Sequence, residues 1–437
     1  MLAFRSLTYR NFRWYLSGQV VSNTGTWMQR IAQDWLVVTL TGASGVALGT
    51  TIALQFLPML LFGLWGGVIA DRYSRRRLIM ITQSSMGVLA LGLGLLTVTG
   101  HVQAWHVYAL AFGLGLATAV DNPARQSFVH EMVGREHLPN AVALNSASFQ
   151  LGRVAGPAVA GLLIGLLGMG PVFLLNTLTF GAVITALATM RVRELHAVER
   201  EPRQRGQLRD GLRHVRDRPE LMLPMVLMLF VSGIGLNFSI TIALMAKGAF
   251  HTGASSFGLL STALAVGSLV GALFSAARLK PRLRLLVGAA LAFGLLEIAC
   301  GLMPGYLTFM AVLLPTGFVS LVLTTGANSF VQLNSSSAMR GRVMSLYVLL
   351  FLGSKPLGAP LLGLISELAG ARATLVFGGL VSVLAAVAVA GILAYNRNLV
   401  LRARIRPRPR VYVCARGRRA VAAGPERTGT AEPERAP

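Results

Sequence analysis

From Phe12 to Tyr395 the chain alternates long apolar runs with short breaks marked by charge, glycine or proline. A helix needs about 20 apolar residues to cross the hydrocarbon core of a bilayer. Runs of that kind fall at 12–39, 45–70, 78–99, 105–122, 141–165 and 171–190, and again at 222–246, 255–277, 284–303, 306–332, 342–366 and 373–395. The pattern predicts an all-α integral membrane protein with twelve transmembrane helices and both chain ends on one side. Between the two sets, Met190 to Glu220 is rich in Arg, Glu, Gln and Pro. The expected layout is therefore a six-helix bundle over 1–190, a basic linker over 191–221 with a short surface helix near Leu208–Val215, and a second bundle over 222–396. Residues 397–437 are Arg-, Pro- and Gly-rich without apolar periodicity and are expected to be disordered.

The two sets of helices repeat one another. With the chain shifted by 202 residues, Ser127-Phe128-Val129 meets Ser329-Phe330-Val331, Arg153 meets Lys355, Gly156 meets Gly358, and Gly161-Leu162 meets Gly363-Leu364. Chance aligns apolar residues readily, but it seldom aligns an intramembrane cation together with its neighbouring glycines. Parallel six-helix repeats are the building plan of two-bundle transporters, whose substrate site lies between the bundles near the midplane.

Composition agrees with the periodicity: 54% of residues are hydrophobic and 13% are charged, against about 25% charged in soluble domains. The formal net charge is +24, which in a soluble protein would suggest nucleic acid. Here the basic residues alternate with the helices. Arg5, Arg10, Arg13, Arg72, Arg75, Arg76, Arg77, Arg125, Arg135, the Arg-rich stretch 191–218, Arg278, Lys280, Arg282, Arg284, Arg340, Arg342 and the tail all fall on one face. The opposite loops carry Lys247 and Arg372. Basic loops stay cytoplasmic, so both termini and the linker are expected in the cytoplasm of a cell with an inner membrane, and the charge calls for a lipid bilayer as partner and no nucleic acid. No cleaved signal peptide is expected before the first helix. Cys300 and Cys414 imply no disulfide framework.

The segment Gly67-Val68-Ile69-Ala70-Asp71-Arg72-Tyr73-Ser74-Arg75-Arg76 resembles motif A of the major facilitator superfamily, with Ser74 where the family usually has glycine. Gly67, Asp71, Arg72, Arg75 and Arg76 fit the pattern. The resemblance implies that Asp71 is a latch that engages the start of helix 11 in the outward-open state. A carboxylate near a helix N-terminus gains about 0.3–1 kcal/mol. Gly152, Gly156, Pro157 and Gly161 partly match motif C, which the family associates with antiporters, although Ala160 replaces one glycine; the same small residues also suit close helix packing. Together with Ser22–Gln29, Gln55–Pro58, Pro123–Gln126 and Asn140–Ser146, these segments resemble the enterobactin-exporter-like subgroup. That resemblance implies proton-coupled export of siderophores, drugs or similar small amphiphiles.

Charges at membrane depth are costly and mark functional candidates. Gln19, Asn23, Arg30 and Asp34 share one face of the first helix, which is expected to line a central cavity; Arg30 and Asp34 are alternatively a pair that neutralises itself. Arg153 and Lys355 read either as gate partners or as cavity cations favouring an anionic substrate. Asp121 and Arg125 form an i,i+4 pair, read either as functional or as a surface pair. Glu297 has no local partner in sequence, so Asp34 or Glu297 is the expected proton carrier.

A membrane enzyme would need clustered titratable or metal-binding groups, and the seven histidines form no such pattern; no Walker A lysine motif is present either. A channel or receptor has no need of matched halves. The reading is thus a monomeric secondary transporter without cofactor or metal, exporting a small molecule by alternating access in exchange for protons. An importer or uniporter is the alternative.

Overall fold

A computed structural model describes residues 2–196, 207–276, 281–336, 339–396, 399–404 and 410–415. The apolar runs fold as helices α1 (Arg10–Leu40), α2 (Gly45–Arg72), α3 (Arg75–Val98), α4 (Ala104–Leu167) and α5 (Met169–Ala188). A linker helix α6 (Gln207–Arg216) follows, close to the span expected for it. The second half comprises α7 (Pro219–Phe230), α8 (Phe238–Leu244), α9 (Ala254–Ala276), α10 (Leu283–Leu302), α11 (Tyr306–Asn334), α12 (Arg340–Gly353), α13 (Lys355–Ala369) and α14 (Ala371–Asn396). Ten helices among the described residues are long and apolar enough to cross a membrane. The first two predicted crossings of this kind to fall outside that group, α1 and the first arm of α4, carry polar residues within their spans: Gln19, Gln29, Arg30, Gln33 and Asp34 on α1, and Asp121 and Arg125 on α4.

Three breaks differ from the sequence expectation. The loop expected around 123–140 is absent, because α4 runs on both sides of a single kink at Gly134, with φ 68° and ψ −176°. Glycine adopts that left-handed φ without the Cβ penalty, and a Cβ there would also meet the His196 ring at 3.3 Å. The seventh predicted helix is interrupted by π turns at Val231–Gly235 and Met245–Ala249, with Asn237 donating to the Gly233 carbonyl at 2.5 Å. The eleventh is split at Ser354, immediately before Lys355-Pro356. Proline cannot donate to the helix ladder.

Packing follows the small residues. Residues 1–387 form one compact unit, so the linker marks a repeat boundary and not a gap in packing between the two bundles. The repeat offset survives in three dimensions: Gly168 and Gly370, 202 residues apart, end α4 and α13 with nearly equal φ of 82° and 83°. Gly156 packs on Trp27 of α1, and its counterpart Gly358 packs on Gly233 of the first π turn. Leucines such as Leu178 and Leu368, 71% and 78% exposed, take the outward positions that face lipid in a membrane protein.

The second unit runs from Ala388 to Pro437. Its described part holds the last turns of α14 and a two-stranded antiparallel hairpin, β1 (Leu399–Arg404) with β2 (Arg410–Ala415), in register Leu399↔Ala415 to Arg404↔Arg410. The tail expected to be disordered thus contains paired strands. Val400, Val411, Tyr412 and Val413 supply strand-favouring residue types. Arg278 and Lys280 lie outside the described residues.

Candidate functional site

At the end of the molecule formed by the turns near Gly42, Gly168, Gly253 and Gly370, the halves meet along two related seams. The start of α2 lies on α13: a Cβ on Gly363 would fall 2.2 Å from the Gly45 carbonyl oxygen, and one on Gly49 would fall 2.6 Å from the Ala359 carbonyl oxygen. The end of α4 lies on α9, where a Cβ on Gly161 would fall 3.1 Å from the Gly258 Cα. Only residues without side chains permit this approach. Polar bonds close the rim: Ser44 Oγ donates to Glu367 Oε1 at 2.5 Å, and Ser255 Oγ donates to the Gly161 carbonyl at 3.0 Å. Deeper in the seam, Trp35 of α1 stacks on Phe257 of α9 with centroids 5.7 Å apart. Gly152 and Gly156 lie against α1, and Pro157 and Gly161 lie against Gly258 of α9.

Behind this closed end the intramembrane cations gather. Arg30 on α1, Arg153 on α4 and Lys355 at the start of α13 are all half-buried, and Lys355 feels the charge of both arginines. The Arg30 guanidinium sits 4.8 Å from the Trp27 ring centroid, and Lys355 Nζ sits 5.1 Å from that of Phe56. Arg153 donates to Ser268 Oγ of α9 at 3.1 Å. Ion pairs among the described residues include Arg75–Glu131, Arg125–Asp121 and Arg191–Glu194, and none involves these three cations. Asp34 is buried beside Arg30, and its carboxylate lies within hydrogen-bonding reach of Ser239 on α8. Arg30 and Asp34 interact electrostatically across one helical turn without closing an ion pair.

The remaining polar residues predicted from sequence go elsewhere. Gln19 is buried inside the first half and accepts from Arg125. Asn23 donates to Ser148 Oγ at 3.0 Å. Asp121 is 2% exposed; it pairs with Arg125 at 2.5 Å and accepts from Thr82 Oγ1 at 2.6 Å and Gln83 Nε2 at 3.0 Å. The surface-pair reading of Asp121 and Arg125 is thereby corrected, since α3 covers the pair. Glu297 is fully buried in the second half, wedged against Gly235 and Gly378, and neither of its oxygens has a hydrogen-bond partner. Ser239, Ser268 and Glu367 were not singled out from sequence, because a hydroxyl or a helix-end carboxylate carries no signal until its neighbour is known.

Motif A sits at the opposite end. Gly67 is buried and Asp71 is half-buried in the last turn of α2. Arg72 is exposed, Arg75 pairs with Glu131 of α4, and Arg76 donates to the Leu187 and Ala188 carbonyls at 2.7 and 3.1 Å. The last contacts satisfy carbonyls that the end of α5 would otherwise leave open.

Residues 2–403 match the family model described as transmembrane secretion effector. Curated relatives include a staphyloferrin A transporter of Staphylococcus aureus, 23% identical over 82% of this chain and 90% of that protein. They also include the multidrug efflux pump Tap of Mycolicibacterium fortuitum, 27% identical over 82% and 90%, and the enterobactin exporter EntS of Citrobacter koseri, 28% identical over 76% of each. Among solved structures, a bacterial homologue of the human lysosomal transporter Spinster superposes with TM-score 0.68 at 15% identity, covering 88% of this chain and 96% of that one. The fold is that of the major facilitator transporters.

Proposed function

We propose that this chain, which belongs to the transmembrane secretion effector family of the major facilitator superfamily, exports a small amphiphilic molecule across the cell membrane by alternating access, in exchange for protons. The observation that carries the reading is the pair of repeat-related seams closed at one end, with unpaired cations from both halves directly behind them. Alternating access requires two matched units that rock about a site between them. The names of the relatives favour export of a siderophore-like or drug-like cargo.

The basic end is read as cytoplasmic by the positive-inside rule. On that reading the closed end faces outward. A cysteine replacing Gln103 should then react with an impermeant thiol reagent in intact cells, whereas one replacing Arg77 should not. The Asp71 latch is placed by the same reading at the cytoplasmic end of α2, which meets α12. One copy of the chain contains both halves, which supports a monomer as the working unit.

Asp34 fits proton coupling better than Glu297. It lies at the boundary, beside Arg30 of its own helix and near Ser239 of the other half, so a change in its charge alters the electrostatics between halves. Glu297 is enclosed in one half. The test is substrate movement in proteoliposomes: Asp34→Asn should abolish uphill efflux driven by a pH gradient while downhill exchange survives. Uphill pumping by Asp34→Asn would remove Asp34 from the coupling step, and wild-type protein that moves neither siderophore-like nor drug-like probes would remove the exporter reading.

A further inference from the structure

We infer that the hairpin β1–β2 is an interfacial anchor, a surface that lies on the bilayer and recognises anionic phospholipid headgroups. The inference concerns a part of the chain that the transport reading leaves without a role. Directly opposed residues of an antiparallel pair lie on the same face of the ladder, and successive residues alternate between faces. The register therefore sorts the hairpin into two unlike faces. Leu399, Leu401 and Ala403 oppose Ala415, Val413 and Val411, so one face holds six apolar positions. Val400, Arg402 and Arg404 oppose Cys414, Tyr412 and Arg410, so the other holds three arginines and a tyrosine. A slip of one residue would put Arg410 and Tyr412 on the apolar face.

A two-stranded hairpin is marginally stable by itself in water and needs a surface for its apolar face. The chain supplies one nearby. The span Ala371–Tyr395 of α14 is long and apolar enough to cross a membrane, and Tyr395, 84% exposed in its last turn, is a residue type that favours the headgroup level. From Asn396 to Leu399 is three residues, a reach of about 10 Å at full extension, so β1 begins close to the interfacial layer. Neither strand can go on to cross the bilayer. Each has six residues, against about 9–11 in a spanning strand, and the open edges of the ladder carry N–H and C=O groups that hydrocarbon cannot satisfy. A hairpin lying flat at the boundary meets both limits, with its edges among the headgroups.

Charge selects the kind of lipid. Residues 397–419 contain nine arginines and neither Asp nor Glu. Anionic headgroups attract such a segment within a Debye length of the surface, and a guanidinium matches the geometry of a phosphate. A nucleic acid would suit the arginine face equally well, but it would leave six apolar positions in water. A segment seated at the headgroup boundary has its apolar face toward the acyl chains and its basic face at phosphate level, so a lipid surface satisfies both faces at once.

The test uses the purified full-length chain, its two native cysteines replaced by serine, in nanodiscs of phosphatidylglycerol or of phosphatidylcholine. A single nitroxide is placed in turn on a cysteine replacing Val400, Leu401, Tyr412 or Val413, and its exposure to dissolved oxygen, which concentrates in lipid, is compared with its exposure to a water-soluble nickel chelate. In phosphatidylglycerol the oxygen-to-nickel ratio should be roughly threefold or more higher at 401 and 413 than at 400 and 412. The alternation should fade in phosphatidylcholine, at high salt, and in the triple variant Arg402→Gln, Arg404→Gln, Arg410→Gln. The change of lipid needs no charge variant, so it decides the matter even where the triple variant fails to fold. Equal ratios at all four positions, or an alternation that is the same in both lipids, would overturn the anchor. Protection of 401 and 413 from both reagents would assign the apolar face to a protein surface instead. Protection of 400 and 412 on addition of RNA, with 401 and 413 left open to nickel, would assign the basic face to nucleic acid.

Discussion

Two polar clusters lie at membrane depth in this molecule, and they are built in opposite ways. Around Asp121, every feature is internal to the first half: Arg125 supplies the charge, Thr82 and Gln83 supply donors, and Gln19 accepts the far side of the guanidinium. Around Lys355 the charges come from both halves, share one sign in excess, and end on aromatic rings or single hydroxyls. The first cluster pairs its charges within one half and can serve as a fixed strut, although Gln19 Nε2 and Gln83 Oε1 have no hydrogen-bond partner. The second has no ion pair among the described residues, and its members come from both halves. Charge within the membrane is thus not by itself a sign of function; the absence of a fixed partner is the more informative feature.

The contrast breaks most visibly at Asp121. Asp121→Ala removes one member of a buried ion pair and strands Arg125, which costs about 3–5 kcal/mol, so thermal unfolding in detergent should fall well below wild type. Lys355→Gln removes a cation that has no partner, so the melting transition should be unchanged or raised while substrate transport falls. A Lys355→Gln protein that melts as early as Asp121→Ala would show that both clusters are structural.

A smaller effect is expected at the seam. Gly363→Val places methyl groups where the Gly45 carbonyl already lies within 2.2 Å of a Cβ position, and such overpacking typically costs about 1–3 kcal/mol. That penalty applies only to the closed arrangement of this end, so the variant should populate the opposite state, read as increased labelling of a cysteine at Ala43. The smallest effect belongs to Glu367→Gln. Its bond to Ser44 is at an exposed rim, where such contacts contribute about 0–1 kcal/mol, so transport should change by no more than a few fold.

Most of the fold was legible because each crossing announces itself by length and hydropathy, and outside α4 and the broken seventh and eleventh helices the observed ends lie within a few residues of the predicted ones. The repeat was read from pairs such as Arg153 with Lys355 and Gly156 with Gly358, and the structure adds Gly168 with Gly370. What the sequence concealed were the breaks at Gly134, Val231–Gly235 and Ser354, since an apolar run reads as one helix whether or not its ladder is interrupted. The paired strands of the tail were concealed by their short length. For the site, the periodicity of α1 put Gln19, Asn23, Arg30 and Asp34 on one face expected to line a cavity, but it could not say that Gln19 and Asn23 bond to α4 of their own half. Arg153 and Lys355 were tied together by the repeat, whereas Ser239 and Ser268 became visible only when helices distant in sequence were brought together.

The central claim, that the halves alternate about the boundary between them, is tested most directly by distances between spin labels at the two ends. One label pair at Ala43 and Glu367 reports the closed seam, and another at Tyr73 and Gly341 reports the basic end, both measured in nanodiscs with and without siderophore-like and drug-like probes and across a pH step. The account predicts reciprocal change: wherever the first distance lengthens, the second shortens. Distances that stay fixed at both ends under every condition, or that lengthen together, would contradict it.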